Sequence, residues 1–310
     1  MTPASLLDPQ LAPLFVGGSN PSFTNETIPI LRTAMAGSPI TSDQLDVLEH
    51  HLSRADGTTL RLLLIRPLSA TGLVPVVMHC HPGGWILGTP ETSAPTLLDI
   101  ACNLQCTIVS VDYRLAPEQP FPAAHEDMLA ALRWVRSRAA DLQVDAERMI
   151  LAGESAGANI AAGVALRLRD DYDGKGIVGL SMVYSPLDDR MTTRLAHPFA
   201  GKIGLGPDHM QFAWASYLGN VDAGDVSPYA APARAADFKR LPPVFLAVGA
   251  LDPVVEENLE FAQRLMRDGV PATLHVFAGA PHGFDRLSSA DVTTRLRELR
   301  NEHLKRCVHQ

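Results

Sequence analysis

The chain has 310 residues, 46% of them hydrophobic and 19% charged, enough apolar material for a large core and a composition that excludes disordered and fibrous classes. Its formal net charge of −8 is spread without a basic cluster, which removes the electrostatic attraction that nucleic-acid binding depends on. Residues 1–15 lack a positive segment followed by a long apolar one, and no stretch offers about 18 uninterrupted apolar residues, so a cytoplasmic protein without export signal or membrane span is expected.

Four cysteines, Cys80, Cys102, Cys106 and Cys307, show no Cys-x-x-Cys spacing and are too few for a disulfide framework in so long a chain. Buried reduced thiols are expected. Asn25-Glu26-Thr27 matches a glycosylation sequon, which a cytoplasmic protein would leave unmodified.

In chain order, the first 44 residues form a leading segment with a helical stretch over residues 25–36. Apolar-rich runs at 45–52 and 59–65 flank the turn-like Arg54-Ala55-Asp56-Gly57, which predicts an antiparallel strand pair. Short β-rich runs at 74–78, 107–111, 149–151, 177–184, 244–248 and 273–277 then alternate with stretches of helical periodicity. That alternation predicts a mostly parallel sheet wrapped by helices. Residues 188–225 interrupt it with Pro198, Gly201, Gly204, Gly206 and Pro207, then a helical stretch bearing Phe212, Trp214 and Tyr217. The expected organisation is a cap segment at 1–44, a core at 45–187, a cap insertion at 188–225 and the rest of the core at 226–310, because insertions at the carboxyl ends of strands commonly cover a site. The plainer alternative is that Phe212, Trp214 and Tyr217 fill a satellite core.

Gly153-Glu154-Ser155-Ala156-Gly157 follows the apolar run Met149-Ile150-Leu151 and opens an alanine-rich helical stretch. This is the strand, sharp turn, helix setting in which a serine nucleophile is displayed, and glycines let strand and helix approach closely around the strained residue. Serine needs a base oriented by a carboxylate. His282 lies in the turn-rich Gly279-Ala280-Pro281-His282-Gly283-Phe284 just past the last strand, whereas His275 sits inside that strand. Asp252 directly follows the strand at 244–248 and precedes the histidine in chain order, ahead of the competitors Asp188, Asp189 and Glu256. An oxyanion would be met by backbone amides. Candidates are Ala156, after the serine, and Gly83 and Gly84 in His81-Pro82-Gly83-Gly84-Trp85; Pro82 has no N–H.

Two weaker signals are set aside. His79-Cys80-His81 offers no third metal ligand, and Asp170-Asp171-Tyr172-Asp173-Gly174 lacks most of a calcium loop. Neither a metal nor a cofactor is expected, and the second stretch reads as a solvated turn.

These motifs, with Asp112-Tyr113-Arg114-Leu115-Ala116-Pro117-Glu118, Phe121-Pro122-Ala123-Ala124, Ser185-Pro186-Leu187, Leu241-Pro242-Pro243 and Asp252-Pro253 in order over residues 74–285, resemble the bacterial hormone-sensitive-lipase-like esterases. The resemblance implies an α/β-hydrolase fold with an eight-stranded sheet, a helical cap, no metal and cleavage of short- to medium-chain acyl esters. Trp85, Phe212, Trp214 and Tyr217 are then candidates for the substrate pocket. It also implies that the 112–118 stretch supports the site's architecture, and it leaves open a homodimer formed through the last strand and helix. Three departures stand out: Pro82 replaces a glycine that is not a donor, Glu154 and Ala158 stand where Asp and Gly are common, and Val254-Val255-Glu256-Glu257 differs from the usual pattern after the acid. A lactone, amide or carbonate substrate suits the same triad. A non-catalytic receptor on this fold is the rival from another class, and such relatives lose part of the triad.

Overall fold

Alternate side chains of a strand face opposite sides of the sheet, and the sequence supplies an apolar residue for each side. A computed structural model describes residues 2–15, 21–193 and 197–309; residues 16–20 and 194–196, which belong to the two expected cap segments, lie outside the described residues. The strands are β1 (Leu45–Ser53), β2 (Thr59–Pro67), β3 (Val74–Cys80), β4 (Thr107–Asp112), β5 (Val144–Glu154), β6 (Ile177–Val183), β7 (Val244–Gly249) and β8 (Ala272–Phe277). They form one sheet in the order β1-β2-β4-β3-β5-β6-β7-β8, in which β2 runs antiparallel to β1 and β4 and the remaining pairs are parallel.

The helices among the described residues are α1 (Ala12–Phe15), α2 (Ile28–Met35), α3 (Ala94–Leu104), α4 (Ala123–Ser137), α5 (Ala156–Tyr172), α6 (Pro207–Leu218), α7 (Val255–Arg267) and α8 (Asp291–Val308). On one face Leu63, Ile65, Val77, Ile108 and Ile150 pack with α3 and α8. On the other, Leu62, Leu64, Val76, Met78, Val109, Met149 and Leu151 pack with α4, α5 and α7. Central β3 is buried along its whole length, which is why it reads as an unbroken apolar run. No helix among the described residues is long and apolar enough to cross a membrane.

Several boundaries differ from expectation by a few residues, and two of the differences have identifiable reasons. β5 starts at Val144 rather than 149, because its first half is only partly buried and carries Asp145, Glu147 and Arg148, which hide the apolar signal. α2 starts at Ile28 rather than 25. Ahead of it Thr24 and Thr27 close a side-chain-bonded turn, with Thr24 N donating to Thr27 Oγ1 at 2.9 Å and Thr27 N to Thr24 O at 3.1 Å. Pro29 then suits a first helical turn, where no N–H is needed.

The leading segment makes two separate contacts. Leu7 and Leu11 are buried in the core, and the Asp8 amide donates to Gly279 O at 3.0 Å, on the loop that carries His282. Farther on, Ile28, Leu31 and Met35 of α2 join Phe23, Ile86, Leu87, Ala116 and Phe212 in an apolar cluster. His209 of α6 accepts from Gly206 N at Nδ1 and therefore donates from Nε2 to Pro21 O at 3.2 Å. Both segments thus meet above the loop after β3. Asp173 ends α5 as an exposed left-handed residue paired with Arg240, consistent with a solvated turn.

Candidate active site

Ser155 joins β5 to α5 with φ 53° and ψ −125°, a conformation costly for a residue with a side chain. Close packing enforces it. A Cβ on Gly157 would lie 2.0 Å from Cys80 O, and one on Gly153 would lie 2.4 Å from the Gly157 carbonyl carbon, so strand and helix touch where both residues lack side chains. The Ser155 amide donates to Val183 O at 2.9 Å, and every residue from Ala156 to Leu166 is buried.

Ser155, His282 and Asp252 meet. Ser155 Oγ lies 2.8 Å from His282 Nε2, and His282 Nδ1 lies 3.0 and 2.9 Å from the two oxygens of Asp252. A carboxylate accepts, so Nδ1 carries the proton and Nε2 is free to accept from the serine. Asp252 is fully buried, and its Oδ1 also takes the Val254 amide at 3.0 Å. The competing acids are engaged elsewhere: Asp188 pairs with Arg190, Asp189 with Arg234, and Glu256 is exposed. Its neighbour Glu257 is buried and receives the amides of Leu187 and Asp188 at 2.9 and 2.6 Å; burial holds its carboxyl well above the usual range.

After β3 the chain turns through Gly83 (φ 134°) and Gly84 (φ 60°). A Cβ on Gly83 would lie 2.0 Å from Leu87 O, and Gly83 O receives the amides of Ile86 and Leu87 at 3.1 and 2.9 Å. Among the described residues the amides of Gly83, Gly84 and Ala156 donate to no protein acceptor. The 112–118 stretch holds this turn in place. Tyr113 donates to His81 O at 2.8 Å and stacks on the His81 ring at 4.1 Å, the Ala116 amide donates to Trp85 O at 2.9 Å, and Arg114 and Arg54 both clasp buried Asp127. Burial pushes the His81 imidazole down to about 3, so it is neutral.

The four candidate pocket residues fall into two clusters. Trp85, Trp214 and Tyr217 are almost fully buried and pack on one another, Trp85 stacking on Tyr217 at 4.4 Å and meeting Trp214 at 4.6 Å. Trp85 Nε1 also donates to Asn159 Oδ1 at 3.2 Å. Phe212, on another side of α6, joins the cluster around α2. The positive φ of Trp85, 62°, turns its side chain into the core, which spacing along the sequence does not disclose. A groove of about 1020 Å³ between the β1–β2 turn, α4 and α5, lined by Arg54, Phe121, His125 and Trp134 among others, touches none of Ser155, His282 and Asp252.

Several residues escaped the sequence reading. Glu154, noted only as a departure, forms a buried pair with His79: Nε2 to Oε2 is 2.9 Å, His79 Nδ1 meets Ser110 Oγ at 2.8 Å, and Ser93 donates to Glu154 at 3.1 Å. Burial alone raises the Glu154 carboxyl, but the charge and hydrogen bond of His79, with Arg300 and Ser93, bring it below its ordinary value. This pair occupies the histidine considered above for a metal; His81 Nδ1 instead faces Pro82 O at 2.8 Å. No metal-binding group of three His, Cys, Asp or Glu side chains occurs among the described residues. Arg32 of α2 is the second omission. It donates to Ile86 O at 2.8 Å and Ala116 O at 2.9 Å and pairs with Glu118, tying the leading segment to the glycine turn, and nothing in the local sequence marks it. The four cysteines are unpaired.

Residues 77–286 match a protein family described as having the alpha/beta hydrolase fold. Esterase LipI of Mycobacterium tuberculosis (strain ATCC 25618 / H37Rv) is 36% identical over 211 residues, covering 68% of this chain and 65% of the relative, so the match spans just under two thirds of that protein's length. The crystal structure of esterase LipW from Mycobacterium marinum superposes with a TM-score of 0.86 at 31% identity, covering 99% of this chain and 97% of that one. A structure titled Bacterial Heroin Esterase superposes with a TM-score of 0.87 at 32% identity, covering 99% of both chains.

Proposed function

This chain belongs to the alpha/beta hydrolase family, among its hormone-sensitive-lipase-like bacterial esterases, and on that premise we propose that it is a serine carboxylesterase acting on small acyl esters. The observation that carries the reading is the contact of Ser155 Oγ with His282 Nε2 at 2.8 Å, on an imidazole whose other nitrogen is held by buried Asp252. Ser155 loses its proton to His282 Nε2 as Oγ bonds to the ester carbonyl carbon. The amides of Gly83, Gly84 and Ala156 receive the oxyanion, a contribution that such donors make because they are oriented before charge develops. The carbon–oxygen bond to the alcohol breaks, the alcohol takes the proton from His282, and the acyl group stays on Ser155. Water then gives a proton to His282 and attacks the acyl carbon; Ser155 Oγ leaves, recovers the proton, and the acid departs.

Residues 1–44 and 188–225 act as the cap. Support comes from α2 and α6 meeting above the glycine turn, and from Ala213, whose Cβ would lie 3.4 Å from a Cβ placed on Gly84. The intact set of serine, base and acid supports an enzyme over a receptor. Ser155→Ala is expected to retain the fold and to lose turnover of p-nitrophenyl butyrate by at least about 10³-fold. Steady-state kinetics beside circular dichroism check this; a variant with wild-type rates would remove Ser155 from the mechanism.

A further inference from the structure

The imidazole of His282 is bonded at its two nitrogens, to Asp252 and to Ser155, and neither bond fixes the face of the ring. Asp252 holds Nδ1, while the loop around the base is flanked by Gly279 and Gly283, both with left-handed φ, 68° and 72°. Glycines in that region leave a chain locally permissive, so the face of the ring needs another support if Nε2 is to stay aimed at Ser155.

Tyr184, the first residue after β6, supplies one. Its φ is 40°, unusual for a bulky residue and kept only where surroundings over-determine it. Three contacts do so. The amide donates to Ala247 O at 2.6 Å, the hydroxyl donates to Asp285 Oδ1 at 2.6 Å, and the ring lies against His282 with centroids 4.6 Å apart. Tyr184 is 3% exposed. Burial first, then the charge of Asp285, hold its hydroxyl well above the ordinary tyrosine range, so it remains a donor. Asp285 stands three residues past the base, in a short turn spanning Phe284–Arg286, and Phe284 packs edge-on to the same tyrosine at 6.1 Å. The tyrosine therefore grips the base's loop beyond the histidine and presses on the histidine itself.

We infer that Tyr184 and Asp285 form a positioning pair for the general base, in which the phenol, moored to Asp285, keeps the His282 imidazole turned toward Ser155 through both half-reactions. The inference rests on the catalytic roles proposed above. Neither residue touches the reacting atoms, and their effect belongs to the rate of proton transfer, not to binding. Small misplacements of a base are costly, about 10²-fold for 1 Å, and loss of the mooring frees the ring only partly.

The test compares Tyr184→Phe, Asp285→Ala and Asp285→Asn with wild type, measuring kcat and KM for p-nitrophenyl butyrate and the rate at which a fluorophosphonate labels Ser155. Tyr184→Phe keeps the ring's shape and is expected to lower kcat and the labelling rate together by about tenfold, with KM within about twofold. Asp285→Ala should do the same. Asp285→Asn retains an oxygen that accepts the phenol proton and should recover to within about threefold of wild type. Wild-type kcat and labelling in Tyr184→Phe would overturn the inference, as would losses confined to KM or an Asp285→Asn no better than Asp285→Ala. A wild-type protein that fluorophosphonate does not label would instead overturn the catalytic reading, and the inference with it.

Discussion

The serine half and the histidine half of this site are held in different ways. Ser155 is placed by its immediate neighbours: Gly153 and Gly157 let β5, β3 and α5 touch, and the helix that follows is buried through its first three turns. His282 is placed by contacts from far along the chain. Asp252 comes from the end of β7, Tyr184 from the end of β6, and Asp8 of the leading segment bonds to Gly279 at the base of the same loop. In the proposed mechanism Ser155 is the nucleophile, and a residue that sits in strain is best built from backbone and close packing. In the same proposed mechanism the base exchanges protons with serine, alcohol and water, a task better served by side chains that define one orientation.

Substitutions in the two halves should therefore fail differently. On the serine side, Gly157→Val has the largest expected effect: its first added carbon would overlap Cys80 O, 2.0 Å away in backbone that cannot move aside. Loss of soluble folded protein is expected, read by expression yield and thermal denaturation, and a stable active variant would show that the elbow is not held by this contact. On the histidine side, Asp252→Asn should leave a folded protein and reduce kcat by about 10⁴-fold, the loss seen when an amide in place of the acid favours the wrong imidazole tautomer. Kinetics on a sample with wild-type circular dichroism checks it. A loss of folding instead would mean that buried Asp252 belongs to the scaffold, erasing the contrast.

The smallest effect concerns pH. His81, behind the glycine turn, has its folded value pushed down to about 3 from an ordinary 6.5 by burial. Between those values the unfolded chain binds the extra proton, so the stability this residue contributes is fully present above pH 6.5 and is lost as pH falls toward 3. The slope for one such group is at most about 1.4 kcal/mol per pH unit. Denaturant titrations from pH 7 to 5 should show a shallower decline in His81→Phe than in wild type, and equal slopes would assign the acid sensitivity to other groups.

How much of this was legible in the residues depends on the range of the contacts involved. Strands buried on both faces read as apolar runs, so the sheet and the antiparallel start were visible, while β5 was underestimated at both ends: at its start, where half-exposed Asp145 and Arg148 and exposed Glu147 broke the run, and past Leu151, where Ala152, Gly153 and Glu154 continue the strand. The order of Ser155, Asp252 and His282, each just past a strand, was visible because a strand's end and a glycine-rich turn are local signals. Side-chain direction and distant pairing were not. Trp85 follows the glycine turn as a pocket residue would, yet its positive φ sends it into a buried stack with Trp214 and Tyr217. Arg32 reaches Ile86 and Ala116, His79 pairs with Glu154, and Tyr184 meets Asp285 across 101 residues of chain. By itself the sequence determined the alternation of strands and helices and the places where backbone must be sharp, since both follow from periodicity and from the presence or absence of a Cβ. Tertiary structure alone decided which distant side chains meet His282, pack over the glycine turn and hydrogen-bond the buried Glu154 behind the serine, because a hydrogen bond is fixed by position in space and leaves no period along the chain.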